Sequence, residues 1–514
     1  MDEHSRLKVP IFGVVCLIFV GIRLWRLDDA CLWFDEIFSV HAAEHDWSSL
    51  FSFVAKDLVH PPLYYAILKV WIVIGGESIF WLRLLSVVFA VLAVIPLLFL
   101  SRELKLQSAT TLLALFLLAV NGSLINYTQR VRMYTLLMFL SLFSIWLFSR
   151  YFYRGKSLVA LAVVNVFLIY THYYGSLVVG CEIVALLVFQ RIKWRGAAAL
   201  FGSGALFFLP WLYAVLINAS GGSDVSQNIA WISRPGFREI GVFIIDLVEP
   251  FYFQFSTTEP TSVFSISIPL LIVFLIAIVL FTVRLRDLET SEKQHILFLT
   301  GFAVLPILVV VTASWILPYS VWGVRHLIIC AGPLALLMAV IIMSIRIRTL
   351  RLTAISLIVV ASAAALYLQV TRPVAFYLWC AWDRIGNELA SESKSLERVY
   401  AFESLIAYHV WFATRNAGNK QVFDVEGADS VKENEIYFLP RGFDGVQKVE
   451  PKDISGDRVW LLFRTHKVGE EAVLFESLRV KGYTICPALP TIIAKTNVYK
   501  VEIVKTPLPC SESN

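Results

Sequence analysis

Two adjacent carboxylates, Asp35 and Glu36, stand in the run Cys31-Leu-Trp33-Phe34-Asp35-Glu36-Ile-Phe38-Ser39, directly after the first apolar stretch of the chain. Acids flanked by aromatic rings at a membrane surface are costly to keep ionised, which makes the pair a candidate general base or cation ligand. Downstream, His60-Pro61-Pro62-Leu63-Tyr64 puts an imidazole just before two prolines that open a helix. The run Tyr127-Thr-Gln129-Arg130-Val-Arg132-Met-Tyr134 carries two arginines in three residues. Trp322-Gly323-Val-Arg325-His326 adds a third where a helix begins, a place that already favours an anion. Guanidinium groups fixed in this way suit a phosphate. His172 and Tyr173, in Tyr170-Thr-His172-Tyr173-Tyr174, supply a further polar and aromatic rim. Each motif also has a plainer reading: a solvated turn for the acids, contact with lipid headgroups for the arginines, interface anchoring for the aromatics.

The elements that must position these residues follow from composition. Of 514 residues 58% are hydrophobic and only 16% charged, against about 25% charged in soluble domains, and the mean hydropathy is +0.71. The chain therefore reads as a polytopic α-helical membrane protein, and soluble, disordered and collagen-like classes are excluded. A net charge of +5, with Lys and Arg clustered beside apolar runs, points to membrane orientation and away from nucleic acid. On a ruler of about 20 apolar residues, eleven spans are expected: 10–27, 79–100, 109–124, 132–151, 158–171, 175–190, 197–217, 263–283, 295–317, 325–345 and 353–369.

Alternate connections carry Lys and Arg (Arg102/Lys105, Arg150/Arg154/Lys156, Arg191/Lys193/Arg195, Arg284/Arg286/Lys293, Arg346/Arg348/Arg351), whereas the turns at 121–126, 172–174 and 318–323 carry none. The N-terminus is thus expected inside and everything after 369 outside, in a bacterial inner membrane. Three pieces then lie on the outer face. The loop 28–78 is expected to hold two interfacial helices, 47–58 and 63–74. A second loop covers 218–261. The polar tail 371–514 alternates apolar runs (399–402, 435–439, 459–463, 498–504) with helical patterns (376–390, 405–414, 470–478), as a small extracytoplasmic α/β domain would. The domain border is accordingly set at 370/371. Of seven cysteines, Cys16, Cys181 and Cys330 fall in apolar stretches as small hydrophobes, and no spacing suggests a metal site.

Carboxylates, arginines and aromatics all fall at outer helix ends, next to lipid. That arrangement suits transfer from a lipid-borne phosphate ester to a water-side acceptor: an acid deprotonates the nucleophile, and arginines stabilise charge growing on the leaving oxygen. One base opposite one leaving group gives inversion. Taken in order, Trp33-Phe34-Asp35-Glu36, His60-Pro61-Pro62-Leu63-Tyr64, the Tyr127 to Tyr134 segment and Arg325-His326 resemble the GT-C glycosyltransferases. The resemblance is to the branch of protein O-mannosyltransferases and aminoarabinose transferases (glycosyltransferase family 39), over residues 1–369.

The resemblance implies a GT-C membrane domain (1–370), Asp35 as general base and Glu36 orienting it or contributing to a cation site. It also implies that Arg325, with Arg132, Arg130 and His60, holds the donor phosphate, and that Trp33, Tyr64, Tyr134, His172, Tyr173 and His326 line the site. The implied donor is a polyprenyl-phosphate sugar, undecaprenyl in preference to dolichyl. The acceptor is an extracytoplasmic glycolipid, polysaccharide or protein. Relatives often read Tyr-x-Gln-Glu-x-Arg-x-Tyr where this chain has Arg130, so an acidic position has become basic and no bound divalent cation is expected. Transfer of a whole lipid-linked oligosaccharide by the same fold, a non-catalytic envelope scaffold and a transporter remain as alternatives. Transporters, however, usually place their charges near the midplane of paired repeats.

Overall fold

Backbone N–H and C=O groups inside hydrocarbon have no water to bond, so apolar runs of this length must close their hydrogen bonds internally. In the computed structural model each of the eleven apolar stretches is indeed helical. The structure describes residues 3–190, 193–220, 226–253, 261–372, 379–392, 396–425, 438–464, 468–486, 491–493 and 496–510. Helices α1 (Glu3–Leu24), α2 (Phe34–Glu44), α3 (Trp47–Asp57) and α4 (Leu63–Gly75) come first. They are followed by α5 (Ile79–Glu103), α6 (Ser108–Val120), α7 (Gly122–Thr128), α8 (Tyr134–Arg154), α9 (Leu158–Thr171), α10 (Gly175–Phe189) and α11 (Trp194–Ser220). After α12 (Ser226–Ile229) and α13 (Phe237–Val248) come α14 (Phe264–Arg284), α15 (Thr290–Ile316), a 3-10 segment (Val324–Cys330), α16 (Ala331–Met343) and α17 (Arg348–Thr371).

Seven of these helices, not eleven, are long and apolar enough to cross a membrane among the described residues; α1, α6, α9 and α10 offer shorter apolar runs of 10–17 residues. The shortening has local causes. Asn121 leaves the helical region (φ −61°, ψ 124°) and its side chain accepts the Leu124 N–H at 3.0 Å, so α6 stops and α7 starts anew. His172 is extended (φ −163°, ψ 146°), which ends α9, and α10 begins at Gly175. A Cβ on Gly175 would meet the Leu168 carbonyl oxygen at 2.6 Å, so only glycine lets the two helices approach this closely. Helices form at both places expected for the first loop, as α3 and α4.

The chain divides into two compact units. The first comprises Met1–Asp28, Ala42–Phe253 and Pro260–Pro373; the second joins Asp29–His41, the start of α2, to Val374–Asn514. Beyond 378 the order is α18 (Trp379–Glu392), β1 (Glu397–Ala401), α19 (Ser404–Thr414), β2 (Lys420–Val425), β3 (Gln447–Val449), β4 (Arg458–Arg464), α20 (Val468–Val480), β5 (Tyr483–Ile485), β6 (Thr491–Ile493) and β7 (Thr496–Lys505). The strands form one sheet in the order β3-β2-β1-β4-β7-β5, with β6 also on β7. The first four run parallel, and β7 lies antiparallel to β4. A parallel strand is buried on both faces and so reads as an unbroken apolar run. The β4 sequence Val459-Trp460-Leu461-Leu462-Phe463 does so, with all five side chains buried. Tyr400, Val459, Leu461, Leu478 and Ile503 form the core of this unit.

The apolar run expected at 435–439 and the helix expected from 376 lie partly outside the described residues, and so does Arg191. Two disulfides, Cys31–Cys380 and Cys486–Cys510, both belong to the second unit, while Cys16, Cys181 and Cys330 are free.

Candidate functional site

In the first unit, the turn between α3 and α4 presents His60. Leu58 takes a left-handed conformation (φ 64°) that ends α3 and swings the chain back. His60 Nδ1 then lies 2.6 Å from Asp57 Oδ2, and Asp57 is steadied by the Asn228 amide at 2.9 Å. On the other side of the ring, Arg132 Nη2 donates to His60 Nε2 at 2.9 Å. Arginine only donates, so Nε2 must carry the lone pair and Nδ1 the proton given to Asp57. Arg132 is 3% exposed and also reaches the Tyr65 hydroxyl at 3.5 Å. Its loop is pinned by Ser86, whose hydroxyl donates to the Arg130 carbonyl at 2.6 Å. This bond links α5 to the short connection between α7 and α8.

Two further imidazoles complete the group. His172 stacks on His326 with ring centroids 4.0 Å apart, and the His60 ring is 5.8 Å from His172. His326 is positioned by the stretch before it. The Tyr174 hydroxyl donates to the Val321 carbonyl and accepts the Gly323 N–H. A Cβ on Gly323 would meet His326 Nδ1 at 2.5 Å, so glycine is required there. The Tyr134 ring closes the group 5.7 Å from His326.

His60, His172 and His326 bring ring nitrogens within 4.8 Å of one another, a spacing that would suit a metal ion. The proton positions favour an anion instead. The Tyr174 N–H donates to His172 Nδ1 at 3.1 Å, which leaves the proton of the neutral ring on Nε2, where a metal would need a lone pair. Burial holds His172 well below the usual histidine range, with His60, Arg132 and Arg325 adding to the effect. Nε2 of His172 and of His326 has no hydrogen-bond partner among the described residues. The group thus combines a buried guanidinium, further positive charge from Arg325 and a buried His172 N–H without a partner among the described residues, a donor set suited to an anion.

Arg325 itself lies over the Trp231 ring at 5.6 Å. Arg130 Nη2 donates to the Asn126 side-chain oxygen at 3.4 Å. Tyr173 bonds the Leu58 carbonyl at 3.4 Å and so steadies the His60 turn, while Tyr64 packs edge-on to Tyr65. Arg83 is buried and donates to the Leu27 carbonyl at 2.9 Å. The sequence reading did not single out Tyr65, nor Asp57 as the partner of His60. Their spacing of three residues across a turn was the available signal.

The acid pair belongs to the second unit. Asp35 and Glu36 occupy the first turn of α2, where the helix dipole favours negative charge. Glu36 is fully buried, and its Oε2 accepts the Trp33 N–H at 2.9 Å, one half of a capping box that fixes the helix start. Asp35 remains partly exposed. The helix is fastened by the Cys31–Cys380 disulfide, by Trp33 against Trp379 (4.2 Å) and by Phe34 against Tyr408 (5.1 Å). His41 Nδ1 meets the Tyr408 hydroxyl at 3.0 Å. Burial pushes the neighbouring His409 down to about 3, so it is neutral at any physiological pH; Glu36 opposes the shift.

No protein-family model matches the chain, and no curated protein sequence does. Solved structures do. ArnT from Cupriavidus metallidurans in the apo state superposes with TM-score 0.61 at 12% identity, over 97% of this chain and 98% of that one. The same protein bound to undecaprenyl phosphate gives 0.57 at 11% identity, over 96% and 97%. The oligosaccharyltransferase AglB from Archaeoglobus fulgidus, in complex with an inhibitory peptide and a dolichol-phosphate, gives 0.49 at 12% identity. It aligns with 82% of this chain, which spans 65% of the AglB chain. End-to-end agreement with ArnT, through the membrane helices and the C-terminal sheet alike, shows that the chain has the GT-C glycosyltransferase fold.

Proposed function

We propose that the protein is an inverting glycosyltransferase that moves a single sugar from a polyprenyl-phosphate donor to an extracytoplasmic acceptor. The observation that carries this reading is the buried group of Arg132, His60, His172 and His326. Four segments far apart in sequence supply it, and it offers donors to an anion at the ends of apolar helices. In the reaction the acceptor hydroxyl forms a bond to the anomeric carbon as the bond to the phosphate oxygen breaks. The acceptor proton goes to Asp35, and the negative charge goes to a phosphate held by Arg132 and Arg325. Glu36 sets the start of α2 and thereby the place of Asp35. The bound undecaprenyl phosphate of the ArnT structure is in keeping with such a donor. Residues 1–370 act in this reading as the membrane catalytic part and 371–514 as an extracytoplasmic domain.

The test is incubation of the protein in nanodiscs with a panel of polyprenyl monophosphate sugars, following free polyprenyl phosphate by mass spectrometry. Release by the wild type and its loss in Asp35→Asn, at unchanged abundance and elution volume, is the expected result. Retained turnover in that variant removes Asp35 from the mechanism. Turnover with diphosphate-linked oligosaccharides alone replaces the donor class.

A further inference from the structure

A cavity of about 360 Å³ lies in the first unit, among α6, α7, α13, α14, the 3-10 segment, α16 and α17. Its volume is in the range of small-ligand pockets, and its walls are mostly apolar, with Leu118, Leu270, Phe274, Leu327 and Leu334 among them. α14, α17 and the segment leading into α16 count among the seven helices long and apolar enough to span, so the walls are largely of membrane-type helices.

The charged groups of the lining are two carboxylates, Asp246 and Glu249, with no Lys or Arg among the lining residues. Glu249 is committed: it accepts the Val263 N–H at 2.6 Å and the Ser267 hydroxyl at 2.8 Å. Asp246 differs. Its backbone carbonyl accepts the Asn121 amide at 3.0 Å, but its carboxylate has no hydrogen bond or ion pair among the described residues. Burial, with a smaller contribution from Glu249, pushes this acid up to about 7. A partly buried acid left without a protein partner at the wall of an apolar cavity suits a cation carried on an apolar body.

We propose that this cavity binds a membrane lipid with a primary-amine headgroup, one hydrocarbon chain filling the apolar walls and the ammonium paired with Asp246. The two carboxylates repel an anionic headgroup, so the site discriminates against phosphatidylglycerol and against polyprenyl phosphate. Its lining shares Tyr127, Val324 and Leu327 with the segments that carry Arg132 and Arg325, but its charged groups are acidic where those are basic, and the proposal stands whether or not the transferase reading does.

The experiment places the full chain in nanodiscs of equal parts phosphatidylethanolamine and phosphatidylglycerol with matched acyl chains, then ejects it into native mass spectrometry to identify the lipid retained. The expected retention favours the amine lipid by at least about tenfold, the discrimination of one charge-assisted contact. Asp246→Asn is expected to bring the ratio down to that of the bilayer, and Asp246→Glu to keep the preference. Ala335→Trp, which puts an indole into the cavity, is expected to remove the retained lipid. The Asn121 contact is to the Asp246 backbone, so the Asn variant keeps it. Equal retention of both lipids by the wild type, an unchanged ratio in Asp246→Asn, or selective retention of polyprenyl phosphate would overturn the proposal. None of these readouts depends on sugar transfer.

Discussion

Arg132 is held by its neighbours at two points, since one guanidinium nitrogen meets His60 Nε2 while another meets the Tyr65 hydroxyl. A lysine offers a single rotating ammonium, so it can satisfy one of these and not the fork. Removing a hydrogen bond to a charged group costs about 1.5–3 kcal/mol, or about 10- to 100-fold. Arg132→Ala is expected to raise the donor KM by that factor with the acceptor KM unchanged, and Arg132→Lys to recover only part of it. Steady-state kinetics with each substrate varied in turn decides this, and equal effects on both KM values would argue against a phosphate role. A second residue-scale outcome concerns Asp246. Its acid is raised from 3.8 to about 7, so the folded state keeps a proton that the unfolded chain releases. That contribution to stability is complete below about pH 4 and is lost as pH rises through about 7. Asp246→Asn stays neutral throughout. In detergent free of amine lipids, its melting temperature is expected to exceed the wild type's above pH 7 and to converge with it towards pH 4. A gap that does not change with pH would show that the Asp246 charge is relieved by water.

At the scale of elements, α2 is held by one covalent bond and by rings. The Cys31–Cys380 disulfide joins the residues before it to α18, and Trp33 and Phe34 pack on Trp379 and Tyr408. A helix of 11 residues is marginal alone, so the place of Asp35 depends on these fastenings. Cys380→Ser is expected to lower kcat for transfer while leaving the donor KM near the wild-type value, and to lower the unfolding temperature. Unchanged kcat in the reduced or substituted protein would show that α2 is held without the bond. This element also marks how far the sequence could be read. The eleven apolar stretches, the helices α3 and α4 and the strands β1, β4 and β7 were legible, because hydrophobic runs and periodicity are local signals. The α2 helix was not: Cys31-Leu-Trp33-Phe34 carries no side-chain cap of the usual kind before it. Nor was the disulfide, whose halves stand 349 residues apart with no spacing to announce them. The motifs carrying His60, Arg132, His172 and His326 were legible one by one as chemistry. Their meeting was not, because it depends on the left-handed Leu58, the break at His172 and the close approach at Gly323.

For the whole molecule the open physical question is which face meets which compartment, and two independent features bear on it. Lys and Arg gather on alternate connections, such as Arg102/Lys105 and Arg150/Arg154/Lys156, as they do on cytoplasmic loops. Disulfides persist in oxidising compartments, and both of those formed here lie in the second unit. On the proposed orientation the first feature belongs inside and the second outside, for unrelated physical reasons. Cys31 and the start of α2 follow α1 directly, so α1 must carry the chain from a reducing to an oxidising side for both features to hold. That proposed orientation would put the loop of α3 and α4, with His60, outside, and the connection between α8 and α9 inside. Ser48 on α3 and Lys156 after α8 are both exposed, which makes each position readable by a thiol reagent. With the three free cysteines replaced by serine, a membrane-impermeant maleimide is expected to label Ser48→Cys in intact right-side-out vesicles, and Lys156→Cys only after the membrane is opened. The reverse pattern would place the disulfides in a reducing compartment and His60 on the cytoplasmic face. Acceptor and donor would then have to be sought among cytoplasmic molecules, and the base assigned to Asp35 would work on the opposite side of the bilayer from the one proposed.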